Sequence, residues 1–265
     1  MSDLNGKFFW YELMTSDPDG AIRFYSDVLG WSTKPFGEDL QGDAYHVIFG
    51  SAGQMGGIMA IPAELKDHGM RPWWGGYVGS ADVDADAKRL SEAGGSVRRA
   101  PEDIPGVGRF AVMSDPGGAI FMLLKGFSPE GMDTAPPMAN GHVGWHELYS
   151  GDFDKDLAFY TSQFGWGQGQ AMDMGPMGSY QLFSMSGGTE FNQMEGGIMA
   201  RPEEVPMPLW LFYFVVPDID AAVERVKAGG GTVLNGPVEV PGGAWIIQGS
   251  DPQGAMFALV GMRNG

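Results

Sequence analysis

The sequence predicts an α+β protein made of four successive modules, each consisting of one strand, one helix and three further strands. Three observations predict this fold: a long internal repeat, helix caps at matching places in each copy, and short β-rich runs after the helices. Residues 10–31 and 145–166 are identical at nine of 22 positions, at an offset of 135 residues. Each copy of such a repeat is expected to close its own core, with the helices on the outside of its sheet.

The first module of each copy begins with a strand that leads into a capped helix. In the first copy, residues 8–12 form the strand, Asp17 is a suitable N-cap, and Gly30 is suited to end the helix. The second module starts with a strand at 73–78 and a helix capped by Asp82. In the second copy, the strand 210–216, the cap Asp218 and the glycines 229–231 are the equivalents of this second module.

Short runs with alternating or β-branched residues predict the remaining strands. In the first copy these runs are 44–49, 54–61, 96–100, 108–113 and 119–124. The segment between the copies is rich in Gly and Pro and lacks periodicity, which is typical of a linker. The predicted organisation is therefore an N-terminal domain over 1–126, a linker over 127–140 and a C-terminal domain over 141–265.

Composition excludes several functional classes. The chain carries 33 acidic and 16 basic residues, for a net charge of −17, which disfavours nucleic-acid binding. It contains no cysteine, so disulfides and thiolate chemistry are excluded. No apolar run approaches the roughly 20 residues of a membrane span, and no secretory signal is recognisable at the N-terminus. We therefore expect a cytoplasmic protein that acts on neither nucleic acid nor membranes.

Several motifs resemble those of the vicinal oxygen chelate superfamily, which includes glyoxalase I, bleomycin-resistance proteins, fosfomycin-resistance enzymes and extradiol dioxygenases. The resemblance implies two glyoxalase-like domains, each a U-shaped mixed sheet built from two βαβββ modules. The Trp-x-Glu-Leu start of each copy is similar to a tandem, glyoxalase-related branch. The residues that carry the resemblance are Phe24-Tyr25 with Leu29-Gly30-Trp31, Phe159-Tyr160 with Phe164-Gly165-Trp166, and the turns Asp115–Ala119 and Asp251–Ala255.

The resemblance also implies a divalent metal held by the first and last strands of each module. Of the eight positions that align with these ligands, only Glu195 carries a suitable side chain, whereas a catalytic metal needs about three or four N or O ligands. We therefore expect neither a metal nor another cofactor, and metal-dependent glyoxalase or dioxygenase chemistry is disfavoured. The aligned residues are Trp10, Met55, Gly75 and Met122 in the first copy and Trp145, Glu195, Leu211 and Ala258 in the second.

Three residues are candidate acid–base groups. Glu12 and Glu147 lie two positions beyond Trp10 and Trp145, so on a regular strand they share the face that holds the metal in the relatives. There a carboxylate could act as a base with a raised pKa, or it could be structural. His146 could titrate near pH 7, or it could pack against a helix or an interface, while His142 is expected at the exposed end of the linker.

The candidate ligand-binding residues are mainly aromatic residues and methionines, which suit a soft apolar cavity. Ordinary core packing remains the alternative for most of them. Arg109 could hold an anionic ligand, or it could pair with surface acids, and Glu195 could be a surface carboxylate. The full set is Trp10, Trp74, Trp145, Trp210, Met55, Met122, Glu195 and Arg109.

The preferred hypothesis is a binding protein that holds a small organic molecule in one or both metal-free concavities. The alternatives are a lyase or isomerase that acts on a small carbonyl compound with a Glu or His base, and a structural role in which one copy is degenerate. The sequence leaves open the ligand, whether catalysis occurs, and whether modules pair within one chain or across a homodimer.

Overall fold

The computed structural model describes residues 4–37, 45–126 and 135–264. Its helices are α1 (Pro18–Leu29), α2 (Ala63–Asp67), α3 (Val83–Glu92), α4 (Phe153–Phe164) and α5 (Ile219–Ala228), with 3₁₀ turns at Gly175–Met177 and Phe191–Gln193. The first repeat contributes strands β1 (Phe8–Thr15), β2 (Ser32–Phe36), β3 (Tyr45–Gly50), β4 (Gly53–Ala60), β5 (Trp73–Gly79), β6 (Ser96–Ile104), β7 (Gly108–Ser114) and β8 (Ile120–Gly126). The second contributes β9 (Val143–Ser150), β10 (Gly167–Asp173), β11 (Ser179–Ser184), β12 (Gly196–Ala200), β13 (Leu209–Val216), β14 (Thr232–Glu239), β15 (Trp245–Ser250) and β16 (Met256–Gly261).

The caps predicted from the sequence at Asp17, Gly30, Asp82 and Asp218 are confirmed, and Asp152 and Gly165 are their equivalents at the fourth helix. Asp17 and Asp152 each accept a hydrogen bond from a backbone N–H in the first turn of the following helix, at 3.0 and 3.4 Å. Gly30 and Gly165 end these helices with φ near +72° and +71°, a left-handed conformation in which glycine carries no Cβ penalty. Asp82 and Asp218 cap α3 and α5 in the same way.

The strands form two eight-stranded mixed sheets, one from each repeat, which confirms the predicted α+β class. The strand orders are β2-β3-β4-β1-β5-β8-β7-β6 and β10-β11-β12-β9-β13-β16-β15-β14. The first and last strands of a module pair in parallel, as β1 does with β4 and β13 with β16, while the three strands after the helix of a module pair antiparallel with one another. The pairing is the same in both repeats: Glu12 is in register with Gly57 in the first repeat, and Glu147 is in register with Gly197 in the second.

Two elements of the first repeat were not located from the sequence. Strand β2 lies at the edge of its sheet, is largely exposed and contains Pro35, so it shows no hydrophobic alternation. Helix α2 has five residues, none of them buried, and its N-terminus has no side-chain cap. Neither element has the period that sequence patterns report.

The chain packs into two compact units, and each unit draws on both repeats. The first unit comprises Met1–Phe9, Gly75–Thr134 and His146–Trp210. The second unit comprises Trp10–Trp74, Ala135–Trp145 and Leu211–Gly265.

In the second unit, a buried chain of hydrogen bonds joins an indole, a phenol and a carboxylate. Trp74 Nε1 donates to Tyr25 Oη at 2.9 Å, and Tyr25 Oη donates to Asp251 Oδ2 at 3.1 Å. The other oxygen of Asp251 accepts from the backbone N–H groups of Gln253 and Ala255, at 3.0 and 2.8 Å. The aspartate therefore closes its own turn and fixes the helix that carries Tyr25.

The first unit contains the equivalent chain. Trp210 Nε1 donates to Tyr160 Oη at 3.0 Å, and Tyr160 Oη donates to Asp115 Oδ2 at 3.1 Å. Asp115 Oδ1 accepts from the N–H groups of Gly118 and Ala119, both at 2.7 Å. We call these two arrangements the Trp–Tyr–Asp chains.

The expectation that each repeat closes its own core is wrong. In the second unit, Phe24 of the first repeat packs edge-on against Phe257 of the second, with ring centroids 5.7 Å apart. Trp31 Nε1 donates to the carbonyl of Gly141 at 2.7 Å in the same unit. The boundaries 1–126 and 141–265 remain a prediction about the sequence repeats, and residues 127–134 of the expected linker lie outside the described residues.

We predict that Tyr25→Phe and Tyr160→Phe each lower the free energy of unfolding by about 2–4 kcal/mol, because each change leaves a buried indole N–H and a buried carboxylate oxygen without a partner. Urea denaturation of the two variants and the wild type would measure the loss. A loss below about 0.5 kcal/mol, as for an ordinary surface substitution, would contradict the structural role of these hydroxyls.

Candidate functional site

A pair of side chains on the first sheet joins a buried carboxylate to a tyrosine. Glu12 on β1 is 6 % exposed and accepts a hydrogen bond from the hydroxyl of Tyr45 on β3. Trp10 Nε1 donates to the same hydroxyl at 2.9 Å. Side chains alternate along a strand, so Trp10 and Glu12 project from the face opposite Leu13 and Ile58, which are fully buried core residues.

Strand β4 lies between the strands that carry Tyr45 and Glu12, and it has a glycine where the tyrosine side chain passes over it. Gly57 on β4 is in register with Glu12, and a Cβ atom there would overlap the Tyr45 hydroxyl. The tyrosine ring can therefore cross β4 and reach the carboxylate only because this position has no side chain. We call Glu12 and Tyr45 the N-terminal Glu–Tyr pair.

The second repeat builds the same arrangement. Tyr180 Oη on β11 donates to Glu147 Oε2 at 2.9 Å, and Glu147 is 6 % exposed. Gly197 on β12 is in register with Glu147, and a Cβ atom there would overlap the Tyr180 ring. We call Glu147 and Tyr180 the C-terminal Glu–Tyr pair.

Sequence analysis found both glutamates but missed both tyrosines and both glycines. The tyrosines are related by the same offset of 135 residues as the rest of the repeat. A second signal is the segment Gly56–Ala60, which returns unchanged as Gly196–Ala200 at an offset of 140. Two adjacent glycines kept in a strand of both copies indicate a close approach of another group.

The electrostatics of the N-terminal pair favour a neutral phenol. Burial raises the pKa of Tyr45 well above its ordinary value, and the charge of Glu12 raises it further. Tyr45 is thus a hydrogen-bond donor to Glu12 at any physiological pH. The carboxylate, a hydrogen-bond acceptor and Brønsted base when ionised, is held in place by this donor.

The other residues aligned with the family's metal ligands are mostly apolar and in part buried. Met55 is buried on β4, next in sequence to Gly56, which is in register with Tyr11. Met122 on β8 is in register with Tyr77 and is also buried. Trp145 is half-buried on β9, two residues before Glu147.

His146 occupies a core position, which fits the alternative that it packs and does not fit a titration near pH 7. Its ring stacks on Phe8 with centroids 5.3 Å apart, and its Nδ1 lies 2.9 Å from the carbonyl oxygen of Glu195. Burial lowers the pKa of His146 to about 4, so the ring is neutral at physiological pH.

His142 is buried, which corrects the expectation that it lies at an exposed end of the linker. Its Nε2 accepts the backbone N–H of Ala52 at 3.1 Å. Burial lowers the pKa of His142 below its ordinary value. Both histidine rings thus form hydrogen bonds with backbone groups that lie far away in the sequence.

The Glu195 carboxylate binds the backbone and a side chain at the end of strand β11. Its Oε2 accepts the backbone N–H of Met185 at 2.7 Å and the hydroxyl of Ser184 at 3.2 Å. These bonds account for a carboxylate at this place in the second repeat, where the first repeat has Met55.

Arg109 is part of a surface ion-pair cluster. Its guanidinium contacts Asp84 through Nε and Nη2, at 2.5 and 2.8 Å, and Asp103 through Nη1 at 3.0 Å. The side chain is 32 % exposed. The alternative in which Arg109 pairs with surface acids therefore fits the structure.

Trp74 and Trp210 likewise belong to the Trp–Tyr–Asp chains, where each indole N–H is bound to a buried tyrosine. These bonds fit the alternative of ordinary core packing for both residues. Both are only 4 % exposed.

The donor set does not fit the metal that the fold family implies. Of the eight aligned positions only Glu195 is a carboxylate, and its Oε2 is bound to Met185 and Ser184. Within residues 4–37, 45–126 and 135–264, no group of three or more His, Asp or Glu side chains is placed to hold a metal ion.

The two units differ at the carboxylate beside the Trp–Tyr–Asp chain. In the first unit, Asp156 is fully buried and accepts the Gly117 N–H at 2.6 Å and the Ser150 hydroxyl at 2.5 Å. Burial, followed by the charge of Asp156, raises the pKa of Asp115 to about 7. The equivalent of Asp156 in the first repeat is Ala21.

We predict that stability falls between about pH 4 and 7 through Asp115. The folded-state pKa of about 7 exceeds the ordinary value of 3.8, so this contribution is complete below about pH 4 and is lost by the time the pH has risen through 7. Asp156→Ala should flatten the fall, because it removes the like charge. Urea denaturation at pH 5, 6 and 7 would measure both slopes, and equal slopes would contradict the coupling.

We predict that Gly57→Ala and Gly197→Ala each destabilise the protein by about 1–3 kcal/mol, because the added methyl group displaces a tyrosine ring. Tyr45→Leu and Tyr180→Leu are the matched second substitutions. Thermal unfolding of the single and double variants forms a double-mutant cycle. Each alanine should cost much less once its tyrosine is gone, and a cost that stays unchanged would show that the ring does not occupy this space.

Comparison with known proteins agrees with this fold. The family model described as Glyoxalase/Bleomycin resistance protein/Dioxygenase superfamily matches residues 7–123 and 141–259. None of the helices in the described part of the chain is both long and apolar enough to cross a bilayer.

Two similar proteins cover nearly the whole chain. The chain is 31 % identical over 273 residues to "Anthracycline biosynthesis protein DnrV" of Streptomyces peucetius, covering 97 % of this chain and 93 % of that protein. It is 29 % identical over 262 residues to "Putative glyoxylase CFP32" of Mycobacterium tuberculosis, covering 95 % and 93 %.

Among solved structures, the Mn(II)-bound glyoxalase from Novosphingobium aromaticivorans superposes with a TM-score of 0.65 at 16 % identity, covering 97 % of this chain and 82 % of that one. At this identity the likeness concerns the fold alone. Together with the family match over both repeats, it identifies the chain as a member of the glyoxalase, bleomycin-resistance protein and dioxygenase superfamily.

Proposed function

We propose that this protein binds a small, planar organic molecule at its Glu–Tyr pairs, without a metal, in the cytoplasm. The observation that carries the proposal is the recurrence of one arrangement in both repeats: a buried glutamate, a glycine in register beside it, and a tyrosine that crosses the glycine. Each pair lies on the sheet face opposite the fully buried core rows.

The residues around the pairs suit an apolar body with a polar group. Trp10 offers an indole that is bonded to the same tyrosine as Glu12, and Met55 on the neighbouring strand β4 offers a thioether. Such side chains adapt to planar ligands. A buried carboxylate binds most strongly to a ligand hydroxyl or N–H donor. One relative is named for anthracycline biosynthesis, and because anthracyclines carry fused planar rings, fused-ring compounds are the first ligands to test.

The burial of the two glutamates favours a second candidate function, proton transfer on a small carbonyl compound. A carboxylate in apolar surroundings is suited to remove a proton from the carbon next to a carbonyl group, and a neighbouring phenol can hold it in position. Glu12 and Glu147 are both 6 % exposed. His146 does not support this role, because its ring is buried against Phe8 and neutral.

We predict that 5-hydroxy-1-tetralone binds the wild type and that the double variant Glu12→Gln/Glu147→Gln binds it at least about tenfold more weakly, because each change removes a charged acceptor. Isothermal titration calorimetry would measure the affinities, with Glu64→Gln on the exposed helix α2 as the control. Unchanged affinity in the double variant would contradict the assignment of the Glu–Tyr pairs.

The same probe separates the two functions. Deuterium incorporation at the carbon next to its carbonyl, followed by proton NMR in D₂O, reports proton transfer. Exchange that is accelerated by the wild type and lost in the double variant would favour the lyase or isomerase. Binding without accelerated exchange would favour the binding protein.

A further inference from the structure

A groove of about 470 Å³ lies in the first compact unit, where helix α4 meets the end of helix α3 and the turn that follows β7. Its volume falls within the range of pockets that hold small molecules. Its lining residues lie outside the Glu–Tyr pairs and the Trp–Tyr–Asp chains. We call it the α3–α4 groove, and what it binds is a separate question from the function of the Glu–Tyr pairs.

Helix α4 contributes an apolar surface to the groove. Ala158, Phe159 and Ser162 line it, and residues three and four positions apart share one face of a helix. Phe159 is buried, whereas Ala158 is exposed. Because alanine adds only a methyl group, the exposed surface of α4 leaves room at this position.

The end of α3 and the turn after β7 contribute small or apolar residues. Ala93, Gly94 and Pro116 line this part of the groove. A Cβ atom at Gly94 would lie 3.6 Å from Pro116 Cγ, so these two residues are close neighbours. None of the three has a charged or hydrogen-bonding side chain, so this part of the groove suits an apolar ring system.

The end of α3 favours a cation. Carbonyl groups in the last turn of a helix carry partial negative charge, and Glu92, the last residue of α3, adds an exposed carboxylate. Lys88 lies 4.0 Å from Glu92, but both side chains are exposed, and such a pair contributes little. Arg89, the basic residue of this turn, donates to Asp86 and Gln163 instead.

The start of α4 disfavours an anion. Lys155 lines the groove, but its Nζ lies 2.6 Å from Asp152 Oδ2. Asp154, in the same turn, adds a further negative charge. An anionic ligand would have to compete with Asp152 for the ammonium group, whereas a cationic ligand would not.

The first repeat supplies an internal comparison. At the offset of 135 residues, Phe24 on helix α1 corresponds to Phe159, and Arg23 corresponds to Ala158. The buried phenylalanine is thus kept, while the exposed methyl group of α4 is replaced by an exposed guanidinium side chain on α1. The small residue is therefore specific to the helix that borders the groove.

We infer that the α3–α4 groove binds a small molecule in which a flat apolar ring system carries a protonated amine. The ring system lies against Phe159, Ala158 and Pro116, where it buries apolar surface. The amine lies at the end of α3 near Glu92, where carbonyl and carboxylate oxygens accept its hydrogen bonds. This site goes beyond the proposed function and does not depend on it.

The test compares three probes with one carbon skeleton: 2-aminotetralin, which is protonated at pH 7, uncharged tetralin, and the carboxylate of 1,2,3,4-tetrahydro-2-naphthoic acid. Calorimetry would measure their dissociation constants for the wild type and for Ala158→Arg, which introduces the residue of the first repeat. Ala85→Arg is the matched control, because it places the same charge at an exposed alanine in the first turn of α3, outside the groove.

We expect the wild type to bind the amine more tightly than tetralin and the carboxylate least. Ala158→Arg should weaken amine binding at least about tenfold, because the guanidinium side chain takes up space and adds a like charge, while Ala85→Arg should stay within about twofold of the wild type. Glu92→Gln should weaken amine binding about twofold to fivefold and leave tetralin binding unchanged, as expected for one exposed charge. If Ala158→Arg does not fold, Glu92→Gln decides.

The double variant Glu12→Gln/Glu147→Gln separates this site from the Glu–Tyr pairs, and it should bind the amine as the wild type does. Loss of amine binding in that variant would place the amine at the pairs and overturn this inference. Unchanged amine binding in folded Ala158→Arg, a preference for the carboxylate, or no amine binding by the wild type would also overturn it. None of these last three outcomes affects the proposed function, which is tested with 5-hydroxy-1-tetralone.

Discussion

Each compact unit depends on a tyrosine hydroxyl held between an indole and a carboxylate. Tyr25 and Tyr160 each receive a bond from a tryptophan of their own unit and donate one to an aspartate that also closes a turn. A buried phenol without these partners would carry the full cost of desolvation. Because the tyrosine and the aspartate come from different repeats, the chain satisfies its buried polar groups only when both repeats are present.

The local elements could be predicted because their signals are local. Asp17, Asp152, Gly30 and Gly165 act within one turn of a helix, so cap chemistry alone places the helix ends. The exchange of modules between the units could not be predicted in the same way. It depends on which side chains pack together in the core, for example Phe24 of the first repeat against Phe257 of the second. A buried phenylalanine gives the same sequence signal whether its partner belongs to its own repeat or to the other one.

The candidate site was predictable in part. Glu12 and Glu147 could be predicted because side chains alternate along a strand, so each glutamate lies on the same face as the tryptophan two positions before it. That reasoning needs only residues that are neighbours in sequence. Tyr45 and Tyr180 were missed because their relation to the glutamates crosses a strand that starts more than 40 residues further along the chain. For Arg109 and His146 the sequence left two alternatives open for a related reason. Their partners, Asp84 for one and Phe8 for the other, are distant in sequence, and burial or pairing decides what an ionisable group does.

The chain uses one chemical arrangement in two ways. Trp74, Tyr25 and Asp251 form an indole–phenol–carboxylate sequence, and so do Trp10, Tyr45 and Glu12. The difference lies in what the backbone does beside the carboxylate. Asp251 sits in a turn whose N–H groups bind it, so its charge is used to fix the chain. Glu12 sits within a strand in register with a glycine, so its carboxylate stands on the face of the sheet and its position is set by a side chain. A turn aspartate of this kind stabilises the fold, whereas a strand glutamate held by a tyrosine over glycine presents a charge to whatever covers that face.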